Sequence, residues 1–168
     1  MTELDQVWAR MLDTAAEHAG KLGRDDIVEY LRLKATNDAI RAAGVTWLFD
    51  TIIEIGVDAQ KRRPHITIER IEPHRFSRGN SRMVGAKLEI RQGVRCLTVE
   101  AGWTRSPGDG VMRGQALAVG AIIHFGIARK NAELKLVRGD ELPRWLGPEG
   151  LVIDSGELRR HFALFLDD

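Results

Sequence analysis

Apolar positions in the first third of the chain recur at steps of three and four, the spacing that gathers side chains on one flank of a helix. Leu4, Val7, Trp8, Met11, Leu12, Ala15, Ala19 and Leu22 form the first such stripe. Thr2 stands where an N-cap belongs, with Asp5 three residues on, and Gly23 is a natural stop. A second stripe begins after Asp25 with Ile27, Tyr30 and Leu31 facing inward. It either runs on to Gly44 or breaks at Thr36, Asn37 and Asp38, whose side chains compete for the helical backbone. A third carries Val45, Leu48, Phe49, Ile52, Ile55 and Ala59 and must end before Pro64, because the residue preceding a proline is pushed out of helical geometry.

Beyond Pro64 the period falls to two. Ile66 and Ile68 alternate with polar neighbours and then slip phase to Ile71, the mark of a bulge or an early strand end. Residues 73–82 (PHRFSRGNSR) connect this strand to the next, with Gly79-Asn80 as turn chemistry. The clearest local signal is a hairpin over 83–103. A Gln92-Gly93 turn would set Leu88 opposite Leu97, Ala86 opposite Val99 and Val84 opposite Ala101, and would put Cys96 beside Glu89. A one-residue slip would send the whole apolar set to solvent, so one face must be buried. Residues 115–126 are apolar in both phases and open to either a buried strand or a buried helix; glycines at 114, 120 and 126 favour the strand. Leu134 and Leu136 alternate with Glu133 and Lys135, 138–150 reads as irregular, and Asp154 with Glu157 forms a capping box ahead of a helix carrying Leu158, His161, Phe162 and Phe165.

Helices and strands are therefore segregated along the chain, which predicts a single α+β domain over 1–168. About three helices in 1–63 form a layer on a four- to five-stranded antiparallel sheet in 64–138, and 139–168 supplies an irregular segment and a C-terminal helix. One cysteine excludes an internal disulfide and, with an acidic start that lacks a signal-peptide pattern, points to the cytoplasm. The longest apolar stretch, 116–128, is too short to span a bilayer, so no membrane is expected.

Net charge is only +1, but its distribution is uneven. Residues 1–60 carry 6 Lys and Arg against 11 Asp and Glu, whereas 61–115 carry 12 against 5. Lys61, Arg62, Arg63, Arg75, Arg78 and Arg82, joined by Arg105 and Arg113, make up the candidate anion-binding set, since guanidinium forks match phosphate and carboxylate oxygens. Phe76 and Trp103 are aromatics available for stacking. The alternative is that the acidic helices neutralise this set, within one chain or across a dimer.

No catalytic, metal or cofactor motif is present. Cys96 next to a carboxylate has its thiol disfavoured as a nucleophile, the histidines lack ligand spacing, and the loop 103–110 lacks the features of a Walker loop. His161 on an apolar stripe reads as a packed, hydrogen-bonded histidine. The leading expectation is a non-catalytic binding or assembly protein, a homo-oligomer and by default a dimer, docking acidic helices on basic strands. A nucleic-acid or other polyanion-binding module using 61–82 is the alternative. An enzyme built around His74, Arg75 and Asp109 ranks third.

Overall fold

The computed structural model describes residues 3–140 and 142–166 and contains three helices and a seven-stranded antiparallel sheet. Thr2, the expected cap of the first helix, lies outside the described residues. Helix α1 (Glu3–Lys21) and helix α2 (Asp25–Gln60) form an antiparallel hairpin closed at Gly23. Then come β1 (Thr67–Arg78), β2 (Ser81–Gln92), β3 (Arg95–Trp103), β4 (Ala118–His124), β5 (Ala132–Val137), β6 (Arg144–Leu146), β7 (Val152–Ile153) and α3 (Ser155–Leu166). Spatial strand order equals chain order, so the sheet is an uninterrupted meander with β1 and β7 as its edges.

The expected second and third helices are one continuous element. Asn37 and Asp38 do not break it because their side chains have partners other than the helix peptide groups, and Thr36 does not because its hydroxyl bonds the i−4 carbonyl without opening the ladder. Asn37 accepts from Arg138, Asp38 holds Trp8 and Arg41, and the Thr36 hydroxyl bonds back to Arg32 O within the ladder. Gly44 also sits inside α2. A Cβ there would lie 2.5 Å from Leu136 Cδ2, and the carbonyl of Gly44 accepts Trp145 Nε1–H at 2.9 Å, so the helix–sheet contact needs a residue without a side chain.

The C-terminal half of α2 (Val45, Leu48, Phe49, Ile52, Ile55) and α3 (Leu158, Phe162, Phe165) cover one face of the sheet, meeting Leu88, Ile90, Leu97, Val99, Ile122 and Leu136. This is the α3 stripe expected from sequence, with Asp154 Oδ1 accepting from Glu157 N. The opposite sheet face carries Lys87, Glu89, Thr98, Glu100, Glu133 and Lys135, and among the described residues none of the three α-helices is packed on it.

Two expectations about the strands are corrected. The β2–β3 register differs by two residues from the expected pairing: Leu88 opposes Val99, Ile90 opposes Leu97 and Val84 opposes Trp103. The turn is Gly93-Val94, with Gly93 at φ 60° in the first central position, which a type II′ turn reserves for glycine. A two-residue shift preserves which face is buried, and here it also gives Ile90 an apolar partner. Cys96 consequently faces Arg91, not Glu89. Strand number was also underestimated, because 139–153 contributes two short strands. In β1 the phase slip is a bulge between Ile71 and His74, after which the strand runs on to Arg78.

Gly85 faces Gly102 across β2 and β3. A Cβ on Gly85 would stand 1.9 Å from Ala101 O, a backbone atom that cannot move without parting β2 from β3. Replacing Gly85 with alanine should therefore lower unfolding stability by about 3 kcal/mol or more in urea titrations, well beyond the ~1 kcal/mol of a typical substitution.

Candidate functional site

The basic set does not converge. Lys61, Arg62 and Arg63 lie at the C-terminal end of α2, and Arg78 and Arg82 at the far end of β1, roughly 35 Å away along an extended strand. Several members already have partners. Lys61 Nζ meets Asp58 Oδ1 at 2.7 Å, and Arg63 Nη1 donates to Leu166 O at the end of α3 at 3.3 Å. Arg82 donates to Gly108 O at 3.1 Å. Arg105 pairs with Asp5 of α1 at 3.0 Å and stacks 3.8 Å above the Trp103 ring, a structural role that pins α1 to the end of β3. Arg62 and Arg75 are exposed on separate parts of the surface.

Arg78 and Arg113 are brought together. With Lys135 and Glu133 they line a cavity of about 330 Å³ on the side of the sheet away from α2 and α3, beside the 104–117 connection. Arg78 is fixed there by Glu100 Oε1 at 2.9 Å, and Glu100 also holds His74 Nε2 at 3.0 Å. Lys135 was not singled out from sequence because it reads as the polar phase of an ordinary strand. Only the five-strand span from β1 to β5 places it near Arg78.

The three residues of the enzyme reading are not gathered. His74 and Arg75 are consecutive on β1 and point to opposite faces, and Asp109 accepts from the Ser106 backbone and hydroxyl in a tight turn. The Ser106 and Arg82 contacts hold its carboxyl below the usual range.

The helical hairpin carries the second feature. α1 packs on α2 through Trp8, Leu12, Ala16 and Ala19, of which Leu12 and Ala19 are buried. Three members of its stripe remain open: Val7 is 40% exposed, Met11 58% and Leu22 66%. On α2, Tyr30 and Leu33 are 57% and 56% exposed, so Tyr30 faces outward instead of inward as expected. The physical reason is length: α2 outruns the sheet, and its first four turns have α1 as cover on one side only.

Sequence reading took His124 as one position in an apolar run and His161 as an isolated packed histidine; the fold makes them a pair. β4 and α3 set His161 Nδ1 3.1 Å from His124 Nε2, both residues buried. Glu157 Oε1 lies 3.9 Å from His161 Nε2, one helical turn back. A carboxylate there favours the proton on Nε2, which leaves Nδ1 to accept from His124 Nε2–H. His161 also lines a cavity of about 620 Å³ with Arg129, Lys130, Glu149, Glu157 and Arg160. Burial, the other imidazole, Lys130 and Arg160 hold His124 down at about 4. Burial and Arg160 lower His161, against the opposing pull of Glu157. Among the described residues no group of three His, Cys, Asp or Glu is placed to hold a metal ion, and no helix is long and apolar enough to cross a membrane.

No protein-family model, no curated protein and no solved structure matches the chain.

The histidine pair makes stability pH-dependent. Both folded-state values lie below the ordinary 6.5, so below that pH the unfolded chain binds protons that the native state refuses. Their contribution is complete above 6.5; the His124 part is lost as pH falls towards about 4, and the His161 part falls in the same direction. Urea titrations between about pH 6.5 and 5, above the main carboxylate range, should show stability falling with acidification, and a His124→Leu/His161→Leu double variant should show a shallower slope.

Proposed function

We propose that this is a non-catalytic assembly protein that pairs with a second copy of itself through the α1–α2 hairpin. The observation that carries this reading is that Val7, Met11, Leu22, Tyr30 and Leu33, five of the fourteen exposed large hydrophobic side chains among the described residues, all lie on this one hairpin. Exposed apolar groups concentrated on one structural unit mark interaction surfaces, whereas isolated ones are normal. A second hairpin is the fitting occupant, because it brings the same side chains in return and two hairpins together make a four-helix bundle, an isologous arrangement. Charge does not oppose it: residues 3–41 hold 6 basic and 8 acidic side chains, which leaves little net repulsion between copies. The acidic helices are less suited to dock on the basic strands of another copy, since Asp50 already reaches Arg70 and Asp5 reaches Arg105 within the chain.

The test is mass in solution. Light scattering or sedimentation at tens of micromolar should give a dimer that persists at high salt, as an apolar contact should. Met11→Glu with Leu33→Glu, both exposed positions, should yield a folded monomer. A monomeric wild type across that range would remove the reading, and a dimer that salt dissociates would return it to the charged surfaces.

A second reading, binding of nucleic acid or another polyanion, is favoured by the meeting of Arg78, Arg113 and Lys135 at one cavity. Its expected signature is a labelled single-stranded oligonucleotide bound at low salt and released steeply as salt rises, with Arg113→Glu/Lys135→Glu abolishing retention. An anisotropy that stays flat at the lowest salt would rule this second reading out.

A further inference from the structure

The cavity under α3 is chemically unlike the two surfaces above. One wall is the 3-10 turn Ala128–Lys130, held in place where Asn131 Oδ1 accepts from His124 N at 2.8 Å and where Lys130 Nζ donates to Leu164 O at 3.2 Å. A second wall is the turn Pro148–Gly150 with Leu151, and the third is the flank of α3 that carries Glu157, Arg160, His161 and Leu164. Its volume of about 620 Å³ falls in the range of small-molecule sites.

The polar groups around it are mostly donors. Arg160 is engaged by Glu157 through both carboxylate oxygens, which leaves that acid largely satisfied. Lys130 has two protons beyond the one given to Leu164 O, and Arg129 projects from an exposed turn position with its donors uncommitted among the described contacts. His161, itself 4% exposed, belongs to the wall, with its Nε2 3.9 Å from Glu157 Oε1, while the buried partner His124 fixes its ring. Counting Arg129, Lys130 and Arg160 against Glu149 and Glu157, the lining carries one surplus positive charge. Leu151, Ile153 and Leu164 add an apolar side. One negative charge next to a hydrocarbon segment is the complement of such a lining.

We propose that this cavity binds a small amphiphilic monocarboxylate, its oxygens held by Arg129 and Lys130, and its hydrocarbon against Leu151 and Leu164, with His161 in the wall beside it. The site is separate from the hairpin, so it neither requires nor excludes dimer formation. Its ligand is recognised by one carboxylate and a few methylenes. A dianion would face Glu149 at the mouth once the surplus charge had been neutralised.

Hexanoate is the probe, with hexan-1-ol as the uncharged control of equal chain length. The full chain is titrated at pH 7 while the imidazole resonances of His124 and His161 are followed by NMR. Saturable shifts of both histidines with hexanoate and none with hexan-1-ol are expected, with a millimolar dissociation constant in line with so few polar contacts. Arg129→Gln, on an exposed turn where folding is not at stake, should weaken binding about tenfold. Lys130→Met should weaken it comparably if it still folds, and the Arg129 variant carries the test if it does not. Histidine resonances that stay fixed, equal response to the alcohol, or an unchanged affinity in Arg129→Gln would each overturn the assignment.

Discussion

A seven-stranded sheet with one apolar face exists in water only if that face is covered, and here the cover is the C-terminal half of α2. Leu48 and Phe49 have no exposed surface, and neither do Leu88, Ile90, Val99, Ile122 and Leu136 beneath them. Burying side chains of this size is worth about 1.5–3 kcal/mol each, which makes this interface the dominant favourable contribution. The other features of the fold accommodate it. Gly44 lets α2 approach β5, Trp145 reaches back to the carbonyl of Gly44, and α3 closes what α2 leaves uncovered over β3. A strand register wrong by one residue would uncouple the two layers, whereas the two-residue difference between expectation and structure leaves them coupled.

That distinction explains how much of the architecture could be read from sequence. Phase is encoded in single residues: Leu134 and Leu136 against Glu133 and Lys135 state which face is buried, and Leu158, His161, Phe162 and Phe165 state which flank of α3 packs. Register depends on where a turn falls, and Gln92-Gly93 and Gly93-Val94 are both plausible from local sequence. Only the pairing of Ile90 with Leu97 decides between them, and that is a contact across strands. The continuity of α2 was hidden for a similar reason. Asn37 and Asp38 disrupt a helix when their side chains have nothing else to bond, and Arg138, Trp8 and Arg41 come from elsewhere in the fold or from the next turn. Of the candidate site, the sequence offered Arg78 and Arg113 among eight cations but gave no way to sort them, because their proximity depends on the 104–117 connection folding back over β2. The histidine pair left no sequence signal, since His124 and His161 belong to elements far apart in the chain.

The uneven charge along the chain is partly resolved within the fold. Arg105 with Asp5 and Arg70 with Asp50 join the basic strands to the acidic helices, so part of the sequence asymmetry describes internal complementarity. What remains on the surface differs from place to place: a charged hairpin with exposed apolar side chains, a cationic cleft on the side of the sheet away from α2 and α3, and a mixed cavity under α3. β1, an exposed edge of twelve residues, is guarded against joining other sheets by its bulge, by Pro73 and by alternating Glu and Arg.

The meander has a consequence for the order in which the chain can acquire structure. Every strand pairs with the one made just before it, and α2, which covers much of their apolar face, is synthesised before any of them. As each hairpin emerges from the ribosome, its apolar face meets a helix already present, and the part that α2 leaves open is covered when α3 follows. Most pairings are local in sequence, which favours rapid folding, and the last helix, α3, completes the core after the sheet has formed.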